Sequence, residues 1–171
     1  MAIERTLSIV KPDAVSKNNI GDIFARFEKA GLKIVGAKMV WPNENHYDKH
    51  YEGIGKLATR MGQKICDMTK NMMCEGPVFA LVLEGVEAVT LVRKMVGSTE
   101  PKSSAPGTIR GDYAHMSYGH ADSNDIALPN IIHASGSLED AVQEIPHWFS
   151  DDQIFEYETV YEKFTLKKKA K

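Results

Sequence analysis

Four short apolar runs along the chain predict its β-strands. Three of the runs have the length of a strand, and the fourth is an apolar pair expected to end a buried strand. The first run stops at Lys11-Pro12, because proline removes a backbone donor and restricts the residue before it. The four predicted strands cover Leu7–Val10, 32–41, 77–84 and Ile131–Ile132.

Between the strands, apolar residues recur every three or four positions, as in amphipathic helices. This spacing predicts helices over 20–30, 86–96 and 138–149, and a broken helical stretch over 45–75. The segment 101–128 has little periodicity and many Gly, Pro, Ser, His and Asp residues, so we predict one long loop there. The order contains a split β-α-β arrangement. We therefore expect an α/β (α+β) fold, a ferredoxin-like sandwich with an antiparallel four-stranded sheet covered by helices, as one domain.

Composition supports a globular protein and excludes several classes. Of the 171 residues, 43% are hydrophobic and 26% are charged, and the formal net charge is −2, so nothing in the overall balance indicates nucleic-acid binding. The basic run 167–171 is expected to be a solvated end of the chain. No apolar stretch reaches transmembrane length, and two cysteines fit a reducing compartment, so we expect no membrane association and a cytoplasmic location.

His133 is the first candidate for chemistry. It follows Ile131–Ile132 and precedes Ser137, which begins a predicted helix as a short polar capping residue. A histidine at this junction would be held on a rigid strand end while its ring faces a cleft. Imidazole is a good nucleophile near neutral pH, since its unperturbed pKa is about 6.5.

Three cations and a hydroxyl stand out by their position as candidates for binding phosphate. Lys11 ends the first strand, Arg93 lies in a predicted helix, and Arg110 lies in the Pro-Gly-Thr-Ile-Arg-Gly-Asp segment. Arginine binds phosphate oxygens with two parallel N–H groups and lysine binds them as a point charge. Thr99, in a Gly-Ser-Thr-Glu-Pro turn, could add one hydroxyl. The glycine loops of P-loop proteins and protein kinases are absent from the sequence.

Taken together, these segments resemble nucleoside diphosphate kinases over nearly the whole chain. The matching segments, in the family's order, are 5–15 (RTLSIVKPDAV), 21–28 (GDIFARFE), 31–39 (GLKIVGAKM), 50–51 (HY), 75–78 (EGPV), 92–97 (VRKMVG), 106–112 (PGTIRGD) and 130–135 (NIIHAS). A set of this size in one order is much more specific than any single motif.

The resemblance implies a ping-pong transfer of phosphate between nucleotides. His133 would attack the γ-phosphate of a nucleoside triphosphate, hold it as phosphohistidine and pass it to a nucleoside diphosphate. Mg²⁺ would bridge the β- and γ-oxygens and be held mainly by the nucleotide itself, with no metal-binding residues of the protein. By this likeness the phosphates would be held by Lys11, Arg93, Thr99 and Arg110.

The likeness also implies roles for neighbouring residues and for assembly. Asn130 and Lys11 would bind the sugar hydroxyls, and Tyr51 would lie beside His133 and the phosphates. Glu144 would fix the tautomer of the imidazole. The partners would be nucleoside triphosphates and diphosphates, and the chain would form a hexamer or a tetramer of dimers.

The sequence departs from the family pattern in three places. Gly136 stands where an aspartate usually follows the His-Gly/Ala-Ser motif, and we expect a modest effect on rate. The 52–76 segment is longer than usual, so the residue that contacts the base is not fixed. The 112–130 segment is also extended, near the region of subunit contacts in the family. The candidates for base contact are Leu57, Met61 and Ile65.

Two other functions remain open at this point. His115, His120 and Asp122, with Asp125 and His133, could bind zinc or another transition metal, although their spacing matches no standard motif. Alternatively, the chain could be a non-catalytic nucleotide-binding scaffold oligomer. The presence of His133 and the three phosphate-binding cations favours the enzyme.

Overall fold

A four-stranded antiparallel sheet forms the centre of the protein. The computed structural model describes residues 3–165, so the basic run 167–171 lies outside the described residues. The strands are β1 (Ile3–Val10), β2 (Lys33–Val40), β3 (Val78–Val86) and β4 (Ile132–Ala134), in the order β2-β3-β1-β4. Because β1 and β2 flank β3, and β3 and β4 flank β1, the split arrangement and the predicted fold class are confirmed.

The two central strands are buried on both faces. On β1, Leu7 and Ile9 pack into one apolar cluster and Val10 packs into the other. Helices α2 (Ile20–Lys29) and α6 (Ala88–Val96) cover the face of Val10, whereas α5 (Gln63–Cys74) and α9 (Leu138–Trp148) cover the face of Leu7. This double burial explains why the strand sequences are almost continuously apolar.

The remaining helices are short. They are α1 (Pro12–Val15), α3 (Glu44–Asp48), α4 (Leu57–Met61), α7 (Ile109–Tyr113), α8 (Tyr118–Ser123) and α10 (Glu162–Thr165), together with a π-helical segment (Lys49–Ile54) and two 3₁₀ turns (Pro101–Ser103 and Asp151–Gln153).

The prediction of one long loop over 101–128 is wrong, since this segment contains a 3₁₀ turn, α7 and α8. Both helices start at a capping hydroxyl: Thr108 accepts the N–H of Gly111, and Ser117 accepts that of His120. With five and six residues, they are too short to show a helical repeat in the sequence.

The strand β4 also begins later and extends further than predicted. His133 lies inside β4, opposite Ile9 of β1, rather than beyond the strand end. Ile131 precedes β4 and has a positive φ of 60°, which is unusual for a β-branched residue. The nucleophile candidate is therefore fixed by sheet pairing two residues after a strained backbone position.

Candidate active site

A cavity of about 810 Å³ opens where β1, β4 and α9 meet the helical segments 49–74 and 97–128. All the predicted catalytic and nucleotide-binding residues line it, although they come from six separate parts of the chain. These residues are Lys11, Tyr51, Arg93, Thr99, Arg110, Asn130, His133 and Glu144. The fold thus brings the whole predicted set to one place.

Glu144 of α9 fixes one nitrogen of His133. The Nε2 atom of His133 lies 3.0 Å from Oε1 of Glu144, and Ser135 Oγ donates to the other carboxylate oxygen at 2.6 Å. Burial opposes the charge on Glu144, but His133 and the bonds from His133 and Ser135 outweigh it and lower the pKa of this carboxyl. With Nε2 occupied by the carboxylate, Nδ1 is the ring atom of His133 available for reaction.

Lys11 is buried at the end of β1 beside Asn130. Its Nζ donates to Oδ1 of Asn130 at 2.6 Å, and Nδ2 of Asn130 donates to the carbonyl of Thr99 at 3.0 Å. Burial lowers the pKa of Lys11 to about 8, while Asp13 opposes this shift and Arg110 adds to it. At neutral pH the lysine is therefore a desolvated cation, which interacts strongly with an incoming anion.

Arg110 is mostly committed to the protein backbone. Its Nε donates to the carbonyl of Asn130 at 3.1 Å, and its Nη2 donates to that of Ile132 at 2.6 Å. Its Nη1 donates to the carbonyls of Gly97 and Ser98 at 3.1 and 3.0 Å. Four of the five guanidinium N–H groups are thus used, and burial lowers its pKa to about 10. The resemblance predicts that Arg110 binds phosphate, and the structure shows that it also holds four backbone carbonyls of the site together.

Arg93 presents the opposite situation. It is exposed on α6, and within residues 3–165 it has no hydrogen bond or ion pair. A Cβ built on Gly136 would lie 3.7 Å from Nη1 of Arg93 and 2.7 Å from Oδ2 of Asp140. The Asp140 carboxylate therefore occupies space that a side chain at position 136 would need.

Sequence reasoning missed the environment of His50. The Trp148 indole N–H donates to Nδ1 of His50 at 3.2 Å, and the rings of His50 and His133 meet edge to face with centroids 4.8 Å apart. Since indole is only a donor, Nδ1 of His50 is unprotonated and its proton is on Nε2. Burial lowers the pKa of His50 well below its usual value, so this ring is neutral.

The metal site suggested by the sequence is not assembled. Within the described part of the chain, the trio of metal-ligand residues that comes together is His50, His133 and Glu144 rather than His115, His120 and Asp122. In that trio both nitrogens of His50 are occupied, one by the Trp148 bond and one by its proton. Asp125, a further candidate ligand, pairs with Lys64.

Apolar side chains line the outer part of the cavity. Leu57, Met61 and Ile65, the candidates for base contact, face it from α4 and α5. Tyr118 lines it from α8, in a segment expected to be a loop, so no pattern in the sequence indicated this aromatic residue. An outer apolar region beside a cationic floor fits a molecule with a flat ring at one end and anions at the other.

Comparisons with known proteins identify the family. The model of the nucleoside diphosphate kinase family matches residues 4–154. A nucleoside diphosphate kinase of Borreliella burgdorferi is 42% identical over 157 residues, with 92% of this chain and 93% of that protein covered. The Pyrococcus furiosus enzyme is 46% identical, with 91% and 88% covered.

Solved structures agree with the sequence comparisons. A transition-state mimic of the Borrelia burgdorferi kinase with bound vanadate and ADP superposes with a TM-score of 0.92 at 40% identity, covering 95% of this chain and 96% of that chain. A Halobacterium salinarum kinase in complex with CDP gives 0.79 at 35% identity, covering 97% and 100%. In the described residues, no helix is long and apolar enough to cross a membrane. The chain belongs to the nucleoside diphosphate kinase family, whose members transfer phosphate between nucleotides with the help of a divalent cation.

Proposed function

We propose that His133 carries the phosphate between a nucleoside triphosphate and a nucleoside diphosphate. The observation that carries this proposal is the bond of its Nε2 to Glu144 at 3.0 Å. This bond directs the reactive Nδ1 away from the carboxylate, in a cavity with a cationic floor. Nδ1 attacks the γ-phosphorus, the bond from phosphorus to the β–γ bridging oxygen breaks, and the nucleoside diphosphate leaves. The second diphosphate then reverses this step.

Lys11, Arg93, Arg110 and Thr99 are the proposed phosphate ligands. Lys11 is a desolvated cation, and Arg93 has its whole guanidinium free of protein partners among residues 3–165. Arg110 has one N–H group left after its four carbonyl bonds. Charge spreads over the oxygens of the transferring group, and fixed cations stabilise it without reorganisation.

Asn130 and Tyr51 complete the proposed nucleotide site. Asn130 and Lys11 together would bind the sugar hydroxyls. The hydroxyl of Tyr51 is buried without a hydrogen-bond partner among the described residues, and burial raises its pKa far above the usual value. It therefore stays protonated and has a hydrogen bond to donate to a bound oxygen.

We propose Mg²⁺ as the divalent cation. The fixed donors of the cavity floor are cationic, and both oxygens of Glu144 are already bonded, so the cavity lining within residues 3–165 forms no cage for the ion. Oxygen ligands from the nucleotide phosphates and water fit this arrangement, with Asp140 as an acid on the cavity wall. When bound, the ion neutralises charge on the β- and γ-phosphates.

We further propose a cytoplasmic homo-oligomer. Both Cys66 and Cys74 are free thiols, which suits a reducing compartment. Met39 and Trp41, on and just after the edge strand β2, are 52% and 64% exposed, and such an apolar edge is typical of a subunit interface. Light scattering on the purified protein distinguishes the expected hexamer or tetramer from a monomer.

Labelling tests the proposed carrier. Purified protein is incubated with γ-labelled ATP and Mg²⁺ and separated on an alkaline gel, alongside His133→Ala and the control His115→Ala, an exposed histidine outside the cavity. We expect acid-labile, alkali-stable label on the wild type and the control, and its removal by added GDP or CDP. Label that persists on His133→Ala would place the nucleophile elsewhere, and no label on the wild type would favour a nucleotide-binding scaffold.

A further inference from the structure

Asp13 holds the backbone turn that leads into His133, although it does not itself line the cavity. Its Oδ2 accepts the N–H of Ile131 at 3.0 Å, across 118 positions of sequence. Ile131 has a φ of 60°, and the N–H of Ile132 donates back to the carbonyl of Asn130 at 2.7 Å. This is a tight three-residue turn with a β-branched residue in a strained conformation, which persists only where its surroundings hold it.

The same turn organises the cations of the site. The carbonyl of Ile131 accepts the backbone N–H of Lys11 at 2.9 Å. The side chain of Asn130 accepts from Nζ of Lys11, and the carbonyls of Asn130 and Ile132 accept from Arg110. A change in the shape of this turn would therefore displace both cations and the nucleophile that follows it.

The carboxylate of Asp13 also brings a buried negative charge close to the cations. Its Oδ1 is buried and has no hydrogen-bond partner among residues 3–165. The charge of Asp13 raises the pKa of Lys11 and of Arg110 against the effect of their burial. Two other groups interact electrostatically with Lys11: Arg110 from α7, and His50 from the π-helical segment, which would be positive if it were protonated. Asp13 differs from both because its charge is negative.

We propose that Asp13 is a positioning residue for phosphoryl transfer: its bond to Ile131 holds the 130–132 turn that aims His133, and its negative charge stabilises the positive charge of Lys11. This inference rests on the proposed role of His133. The hydrogen bond to Ile131 needs only an acceptor at position 13, whereas the effect on Lys11 needs a negative charge there. Substitution by asparagine and by alanine therefore separates the two roles.

The test measures the single-turnover rate of His133 phosphorylation by ATP and Mg²⁺ across pH 6–10 for Asp13→Asn, Asp13→Ala and the control Asp22→Asn, an exposed acid in the first turn of α2. Asp13→Ala removes the acceptor, and we expect the rate to fall by about a hundredfold, the size of effect that misplacing reacting groups produces. Asp13→Asn keeps an acceptor, so near pH 6.5 its rate should stay within about fivefold of wild type. The loss of rate at alkaline pH should then begin at lower pH, because Lys11 has lost its counter-charge.

Each outcome supports or overturns the inference. An Asp13→Ala rate within twofold of wild type would show that the turn does not depend on the carboxylate, and an unchanged alkaline limb in Asp13→Asn would remove the electrostatic role. A purely structural defect would lower the rate at all pH values without moving that limb. If Asp13→Ala does not fold, the pH profile of Asp13→Asn decides. Wild type that takes no label at all would instead refute the role of His133.

Discussion

Replacing Arg110 by lysine separates the scaffolding of this site from its affinity for phosphate. The guanidinium binds four backbone carbonyls through three nitrogens that diverge from one carbon. Lysine carries its donors on a single atom, so it cannot reach both the pair at Gly97 and Ser98 and the pair at Asn130 and Ile132. The charge would be kept while part of the carbonyl network is lost.

The loss of stability in Arg110→Lys depends on which backbone carbonyls lose their hydrogen-bond donor. If the lysine ammonium stays with Gly97 and Ser98, the buried carbonyl of Ile132 loses its bond from Arg110. The carbonyl of Asn130 keeps the N–H of Ile132. A hydrogen bond to a charged group contributes about 1.5–3 kcal/mol, and an unsatisfied buried acceptor costs about 1–3 kcal/mol. We therefore expect Arg110→Lys to reduce the free energy of unfolding by roughly 2–4 kcal/mol.

Arg93→Lys is the matched control, since Arg93 lines the same cavity but is exposed and has no protein partner among the described residues. Its free energy of unfolding should change by less than about 0.5 kcal/mol, whereas its affinity for ATP should fall. Urea denaturation at a fixed protein concentration measures both stabilities, because an oligomer's midpoint depends on concentration. Equal stability losses in the two variants, or no loss in Arg110→Lys, would refute the assignment of Arg110 to the scaffold.

Three further changes test the orientation of His133, the burial of His46 and the space at Gly136. Glu144→Gln removes the negative charge that orients the imidazole of His133. We expect the rate of His133 phosphorylation to fall by between about tenfold and a hundredfold, as when other orienting partners are removed. An unchanged rate in stopped-flow mixing would contradict this. His46 has a pKa lowered by burial from 6.5 to about 4, so the unfolded chain binds more protons between these values and stability should fall as pH falls from about 6.5 to 4. His46→Leu should lose less stability between pH 7 and pH 5 in urea titrations than wild type does. Gly136→Asp places a second carboxylate against Asp140, so the rate should fall moderately, and adding Asp140→Ala should restore it; a rate gain in the single variant would be inconsistent with that crowding.

Sequence patterns were sufficient for the sheet, and the residues named from the resemblance line one cavity. The four apolar runs became β1 to β4, because the central strands are buried on both faces and leave few polar positions. The helices α7 and α8 were missed since each is less than two turns long and depends on a cap at Thr108 or Ser117. Short capped helices give no periodic signal in a sequence.

Side-chain bonds to the backbone and backbone dihedral angles could not be predicted from the sequence. Nothing in the residue types shows that Arg110 binds four carbonyls, because any residue supplies a carbonyl and only the fold decides which ones come within reach. The positive φ of Ile131 was equally hidden, since a β-branched residue favours the strand conformation, which here begins only at the next residue. The bond between Trp148 and His50 joins residues 98 positions apart and leaves no local pattern.

The exposure of each cation indicates what its replacement should cost. Lys11 and Arg110 are 6% and 8% exposed and bind neighbouring groups by hydrogen bonds, so folding itself has removed most of their water. An anion that binds there interacts with fixed charges in surroundings of low dielectric constant. The interaction is therefore strong, and the two side chains do not have to move when the anion binds. Arg93 remains solvated until a ligand binds, so it must lose its own water and side-chain freedom at that moment. Substitutions of the buried cations should therefore affect stability and phosphoryl transfer together, whereas substitutions of Arg93 should affect nucleotide binding and phosphoryl transfer with little change in stability.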